Sequence, residues 1–121
     1  MFTLVKIEGG RINVFEPQIL PVGASAVKRG EALVLASGLL VKCGQEATPT
    51  FIALADGASG AEISVGRVQP NQIYEVPAVT GVAVGGKYKL ATDALGITAT
   101  TTTTGGAEVV DIATDTVLVR F

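Results

Sequence analysis

Three carboxylates, Glu108, Asp111 and Asp115, stand close together near the end of the chain. Carboxylate oxygens are what a calcium ion takes, but calcium loops interleave their ligands with Gly and Asn. Here Val109, Val110 and Ile112 intervene and read as strand, so the three acids are expected to be solvated strand and turn groups. Asp56 and Glu62 flank the glycine-rich turn Asp56-Gly-Ala-Ser-Gly60. No second acid is placed to complete a general acid/base pair with either of them. The chain has no histidine. That removes the commonest general base, the Ser-His and Cys-His activations, and most zinc sites. Cys43 is the lone cysteine and ends an apolar strand, which reads as a buried small hydrophobe. The glycine pairs at 9–10, 85–86 and 105–106 match neither a P-loop nor a dinucleotide fingerprint and are expected to be hairpin turns. The residues therefore predict a chain that is not an enzyme, with no metal, no cofactor and no small-molecule substrate.

The elements that would carry any function are strands. The stretch Val27-Lys-Arg-Gly-Glu-Ala-Leu-Val-Leu-Ala-Ser-Gly-Leu-Leu-Val-Lys-Cys43 reads as a hairpin about Ser37-Gly38. Its first half returns 55 positions later as Val82-Ala-Val-Gly-Gly-Lys-Tyr-Lys-Leu-Ala-Thr92. Val27 then meets Val82, Gly30 meets Gly85, Leu33 meets Tyr88 and Leu35 meets Leu90; three extra residues bring Gly38 onto Gly96. In the second copy Tyr88 and Leu90 alternate with Lys87 and Lys89, the pattern of a half-solvated antiparallel strand. In the first copy both faces are apolar, Leu33 and Leu35 on one, Ala32, Val34 and Ala36 on the other. Such a strand is buried on both faces or packs its outer face against a neighbour. The second alternative places a self-association surface on Ala32, Val34 and Ala36.

Around the hairpins, strands are expected over 2–8, 50–55, 61–65 with a bulge at Gly66, 72–76, 107–113 and 116–121. Residues 11–16 resume in extended form with Ile12 and Val14 on one face. Pro17 and Pro21 bracket Gln-Ile-Leu and lack the N–H a central ladder requires, so this segment is an edge or an arm. The threonine run over 98–104 reads either as a flexible loop or as an exposed strand. No apolar pattern at helical spacing runs for three turns. The expected fold is all-β, a compact antiparallel β-barrel or sandwich built on the two hairpins, with residues 1–25 as an extended N-terminal arm and 26–121 as a single β domain.

Composition narrows the partners. Of the 121 residues 48% are apolar and 17% charged, against a usual charged share of about 25%. The apolar excess either faces another subunit or consists of small Ala and Val that tolerate exposure. Net charge is −2, and Lys28-Arg29 is the one adjacent basic pair. With two Tyr, four Phe and no Trp, neither a phosphate-tracking stripe nor a stacking platform for nucleic acid is present in the sequence. No apolar run reaches the length of a membrane span, and Met1 to Glu8 lacks the pattern of an export signal. The expected setting is the cytoplasm of the producing cell.

Met1-Phe-Thr-Leu-Val-Lys-Ile-Glu-Gly-Gly-Arg-Ile-Asn-Val-Phe-Glu-Pro17, Val27-Lys-Arg-Gly-Glu-Ala-Leu33, Thr48-Pro-Thr-Phe-Ile-Ala-Leu54 and Gly66-Arg-Val-Gln-Pro-Asn-Gln-Ile-Tyr-Glu-Val-Pro77 resemble segments of tailed-phage and prophage capsid decoration, or cement, proteins. The resemblance spans most of the chain through loose β patterns. It implies a homotrimer on the outer capsid surface of the virion that clamps subunits of the major capsid protein, assembled in the host cytoplasm. The arm would then contact the capsid through Phe2, Leu4, Ile7, Ile12, Val14, Phe15, Ile19 and Leu20. A tail-tube or baseplate component, or another virion β module, is the alternative.

Overall fold

In the computed structural model, which describes residues 1–7 and 17–121 (the side chains of residues 6 and 7 excepted), every regular element is a strand. In chain order these are β1 (Thr3–Ile7), β2 (Pro17–Pro21), β3 (Ala32–Ala36), β4 (Leu39–Lys42), β5 (Phe51–Ala53), β6 (Glu62–Arg67), β7 (Gln72–Pro77), β8 (Lys87–Leu90), β9 (Ile97–Thr101), β10 (Ala107–Ile112) and β11 (Thr116–Arg120). They form two antiparallel sheets, a six-stranded one ordered β1-β7-β11-β10-β8-β9 and a five-stranded one ordered β2-β6-β5-β3-β4. The edges β2 and β4 meet at a single bridge, Val22 to Leu40, where the Gly23 N–H donates to the Leu40 carbonyl at 2.9 Å. One bridge does not close a ladder, so of the two expected architectures the sandwich is the one found.

The two hairpins are parts of a larger internal repeat. Strands β2 to β6 and β7 to β11 are wired identically, as 2-6-5-3-4 and 7-11-10-8-9. Equivalent residues also pair equivalently: Leu33 with Phe51 and Tyr88 with Ala107, Ala53 with Val65 and Val109 with Val119, Leu35 with Leu40 and Leu90 with Ile97. Hydrogen bonds outside the ladders recur as well. The Gly30 N–H donates to the Ala53 carbonyl at 2.8 Å, and the Gly85 N–H to the Val109 carbonyl at 2.8 Å. The Cys43 N–H donates to the Ala32 carbonyl at 2.9 Å, as the Thr102 N–H does to that of Lys87 at 3.0 Å. Gly30 and Gly85 hold φ of +81° and +86°, a left-handed conformation that a Cβ disfavours, so glycine is needed at both places.

Each half encloses its own apolar cluster. Val22, Val27, Leu33, Leu40, Phe51, Ala53, Ile63 and Val65 fill the first. The second contains the repeat counterparts Tyr88, Ile97, Ala107, Val109, Val117 and Val119. To these it adds Phe2, just ahead of β1, and Ala32, Cys43 and Ile52 from the first half. Side chains alternate across a strand, so Ala32 and Ile52 face away from Leu33 and Phe51. The middle of the five-stranded sheet is therefore buried on both faces, inside its own half on one side and against the six-stranded sheet on the other.

Three expectations are corrected here. First, the described parts of residues 1–25 do not form an arm: β1 pairs with β7 and β2 with β6. Phe2 and Leu4 find a core to enter and β7 offers an unpaired edge, so docking removes apolar surface from water and satisfies main-chain groups that an arm would leave solvated. The β unit accordingly takes in residues ahead of 26. Second, Gly66 carries no bulge, since β6 pairs in unbroken register with β2 and β5. The register instead slips between Leu4 and Lys6, between Tyr88 and Leu90, and between Val109 and Asp111. Third, the outer face of β3 is covered largely by its own chain. Ala32 is fully buried and Val34 packs against the second cluster.

Candidate interaction surfaces

The acids that could do chemistry are dispersed or engaged. Glu108 Oε1 accepts from Arg120 Nε at 2.6 Å across the β10–β11 pair. Asp111 Oδ1 accepts the Ile112 N–H at 2.9 Å, and Asp56 Oδ1 accepts the Arg29 N–H at 2.8 Å. Among the described residues no three acids or cysteines converge as a metal site would require.

Among the described residues four titratable groups are buried, Glu31, Cys43, Tyr74 and Tyr88, and each has a structural explanation. Glu31 is 4% exposed and accepts the Lys28 N–H at 3.3 Å. Burial raises its carboxyl above the usual range, against the opposing pull of that hydrogen bond and of Lys42. Burial also pushes the Cys43 thiol up to about 11, which keeps it protonated and unreactive at neutral pH. The Tyr74 hydroxyl, raised by burial as well, donates to Gln72 Oε1, which also accepts the Gln69 N–H at 2.8 Å. This buried polar pair is satisfied and serves the core. The Tyr88 hydroxyl accepts the Ala83 N–H at 2.7 Å, and a Cβ on Gly86 would come within 2.6 Å of that hydroxyl and 2.8 Å of the ring. Gly86 is thus the space that lets Tyr88 fold back over its own turn.

The surfaces that can meet a partner are apolar and lie mostly outside the expected residues. Of the expected capsid contacts, Phe2 is 2% exposed, Leu4 packs on the second cluster and Leu20 on the first. Ile19, on edge strand β2, is 68% exposed. Ile12, Val14, Phe15 and the Ile7 side chain lie outside the described residues. Of the expected self-association face, Ala36 alone is exposed.

Two leucines missed from the sequence stand out beside it. Leu35 and Leu39 are 43% and 42% exposed at the tip of the β3–β4 hairpin. Their turn residues Ser37 and Gly38 hold φ of +52° and +79°, both positive as in a type I′ turn, which makes the tip short and stiff. The corresponding Leu90 is fully buried in the second cluster, which Ala94 joins from among the three extra residues of the second hairpin. Their Ala94 carbonyl accepts the Ala32 N–H of the first half at 2.8 Å. The unequal turn lengths were legible in the sequence and are the signal that could have found the exposed tip.

Two sheet edges are blunted against strand addition. On β9, Thr98 Oγ1 donates to the Lys89 carbonyl at 3.2 Å and accepts the Thr100 N–H at 3.2 Å, so part of the edge is satisfied by its own side chains. On β2 the two prolines offer no N–H.

These features define a class: an antiparallel β-sandwich of two repeated five-strand units, with an N-terminal strand added to one of them. No family model and no curated protein matches the chain. Among solved structures it is similar to the head fiber gp8.5 N base of bacteriophage phi29, with a TM-score of 0.65 at 18% identity, over 89% of this chain and 95% of that one. At that identity the likeness shows a shared fold.

Proposed function

We propose that this chain is a non-enzymatic structural module of a tailed-phage head. In this reading it sits on the outer capsid surface as a homotrimer and holds subunits of the major capsid protein together, after assembly in the host cytoplasm. The observation that carries the reading is the fold-wide likeness to the base of a phage head fiber, which leaves little of either chain unmatched. A sequence without histidine supports a binding role, as does the exposed apolar tip of Leu35 and Leu39. A repeated lattice also suits a small module of this kind, because several weak contacts made at once add up to firm attachment.

The test is co-sedimentation of purified protein with undecorated expanded heads and, separately, with tails of the same phage. Saturable binding to heads alone is expected, and it should fall at least tenfold when Leu35 and Leu39 are both replaced by Asp. Binding to tails, or to neither particle, would overturn the reading. Light scattering of the free protein should give three times the chain mass; a monomer would overturn the trimer while leaving head binding open to its own assay.

A further inference from the structure

β1 differs from every other strand in having no place in the repeat. The first half is complete as β2 to β6 without a sixth strand, and β7 to β11 reproduce that wiring without β1. Residues 1–7 lie on the second half as a peptide lies in a groove. Thr3 faces Glu75 and Leu4 faces Tyr74 in the β7 ladder, which slips before Lys6. The Phe2 ring fills a pocket between Tyr74 and Phe121, at centroid separations of 6.4 and 5.2 Å. The Phe2 N–H donates to the Gly30 carbonyl at 2.9 Å, and Met1 packs so closely over Gly30 that a Cβ there would lie 2.2 Å from that of Met1. An aromatic anchor, a terminal clamp and a main-chain ladder are the parts of a strand-addition site.

We propose that this groove is a strand-acceptor site that also takes residues 1–7 of a second copy of the chain, so that neighbouring copies become linked by exchange of β1. The incoming segment is the same peptide, so every contact just described is reproduced between copies. Mass action then decides between the two arrangements, with the tether setting the effective concentration of the chain's own strand. The nine residues from 8 to 16 separate β1 in one sheet from β2 in the other, and such a length spans about 30 Å when extended. That is enough reach for β1 to pass to an adjacent molecule. An empty groove would expose Phe121 and the Tyr74 ring, so exchange is favoured where copies are crowded together. Exchange of an identical element adds a low-cost link to any assembly of copies. It does not depend on which particle the protein decorates.

The experiment mixes two full-length single variants, Thr3→Cys and Glu75→Cys, each carrying Cys43→Ala. Positions 3 and 75 are opposite one another in the ladder, so a disulfide joining them across two chains forms in excess of random collision only if β1 of one copy lies on β7 of the other. After co-incubation at high protein concentration and mild oxidation, the mixed dimer is expected as the main covalent product on a non-reducing gel. Mixed dimer no more abundant than the random pairing of each variant with itself would overturn the proposal. A second reading uses the unaltered chain: isotope-labelled and unlabelled copies refolded together should show intermolecular contacts between the Phe2 ring and Tyr74 in isotope-filtered NMR spectra. Contacts confined to one chain would overturn it equally.

Discussion

Tyr88 stands in the second half where Leu33 stands in the first, and each pairs across the ladder with a residue that complements its size. Leu33 faces Phe51, while Tyr88 faces Ala107. Both pairs are buried. A larger residue on β8 is thus matched by a smaller one on β10, as close packing demands of two cores built on one backbone plan. Phe51→Ala alone should cost about 3–5 kcal/mol. Adding Leu33→Tyr to it copies the second half's pair into the first and should recover about 1 kcal/mol. Urea unfolding of the two singles and the double tests this, and a double no more stable than the additive sum would show that the two cores do not share the plan.

Phe2→Ala removes the aromatic anchor of β1. The loss should be about 3 kcal/mol, a large share of the stability of a domain this size. Denaturant midpoints of the two proteins measure it. An unchanged midpoint would mean that β1 contributes little to the fold.

Glu31 sets a pH dependence whose sign follows from its burial. Its carboxyl is raised above its ordinary value in the folded protein. The folded state therefore binds the proton more tightly than the unfolded one. Glu31's contribution is fully present below the unfolded pKa and is lost as pH rises through the folded one. Glu31→Gln keeps an acceptor for the Lys28 N–H without the charge. The variant should match the parent near pH 4 and melt at a higher temperature near pH 7. A parent that gains on the variant as pH rises would contradict this.

Cys43 should resist thiol reagents in the native protein. It is 2% exposed and its thiol is raised to about 11, so both access and thiolate are scarce. Labelling is expected to become fast only in denaturant, at a rate that follows unfolding. Rapid labelling of native protein would place the thiol at the surface.

Replacing Leu35 and Leu39 by Asp should leave the fold intact, with a change of about 0.5 kcal/mol for each, because both residues are exposed at the hairpin tip and outside the two core clusters. Val34→Glu should behave differently and destabilise the protein, since Val34 packs on the second cluster. Thermal melts of the two variants separate a contact surface from a core position.

Strand identity was legible in the sequence because it is local. β-branched runs, alternation at Lys87–Leu90 and glycine turns are patterns of residues only a few positions apart. The 55-residue shift between Val27 and Val82 was already the signature of the repeat. Its full extent, from one hairpin to five strands, emerged only from the ladders, because β2 and β7 or β5 and β10 share a place and few side chains. The apolar character of both faces of β3 was also plain in the sequence. What covered the second face was not, since a neighbouring molecule and the other half of the same chain bury Ala32 and Val34 equally well. The same ambiguity governs Phe2 and Leu4, which read alike as an arm's contacts or as a docked strand's core face. Pairing between residues far apart in the chain decides such matters, and only the tertiary structure contains it.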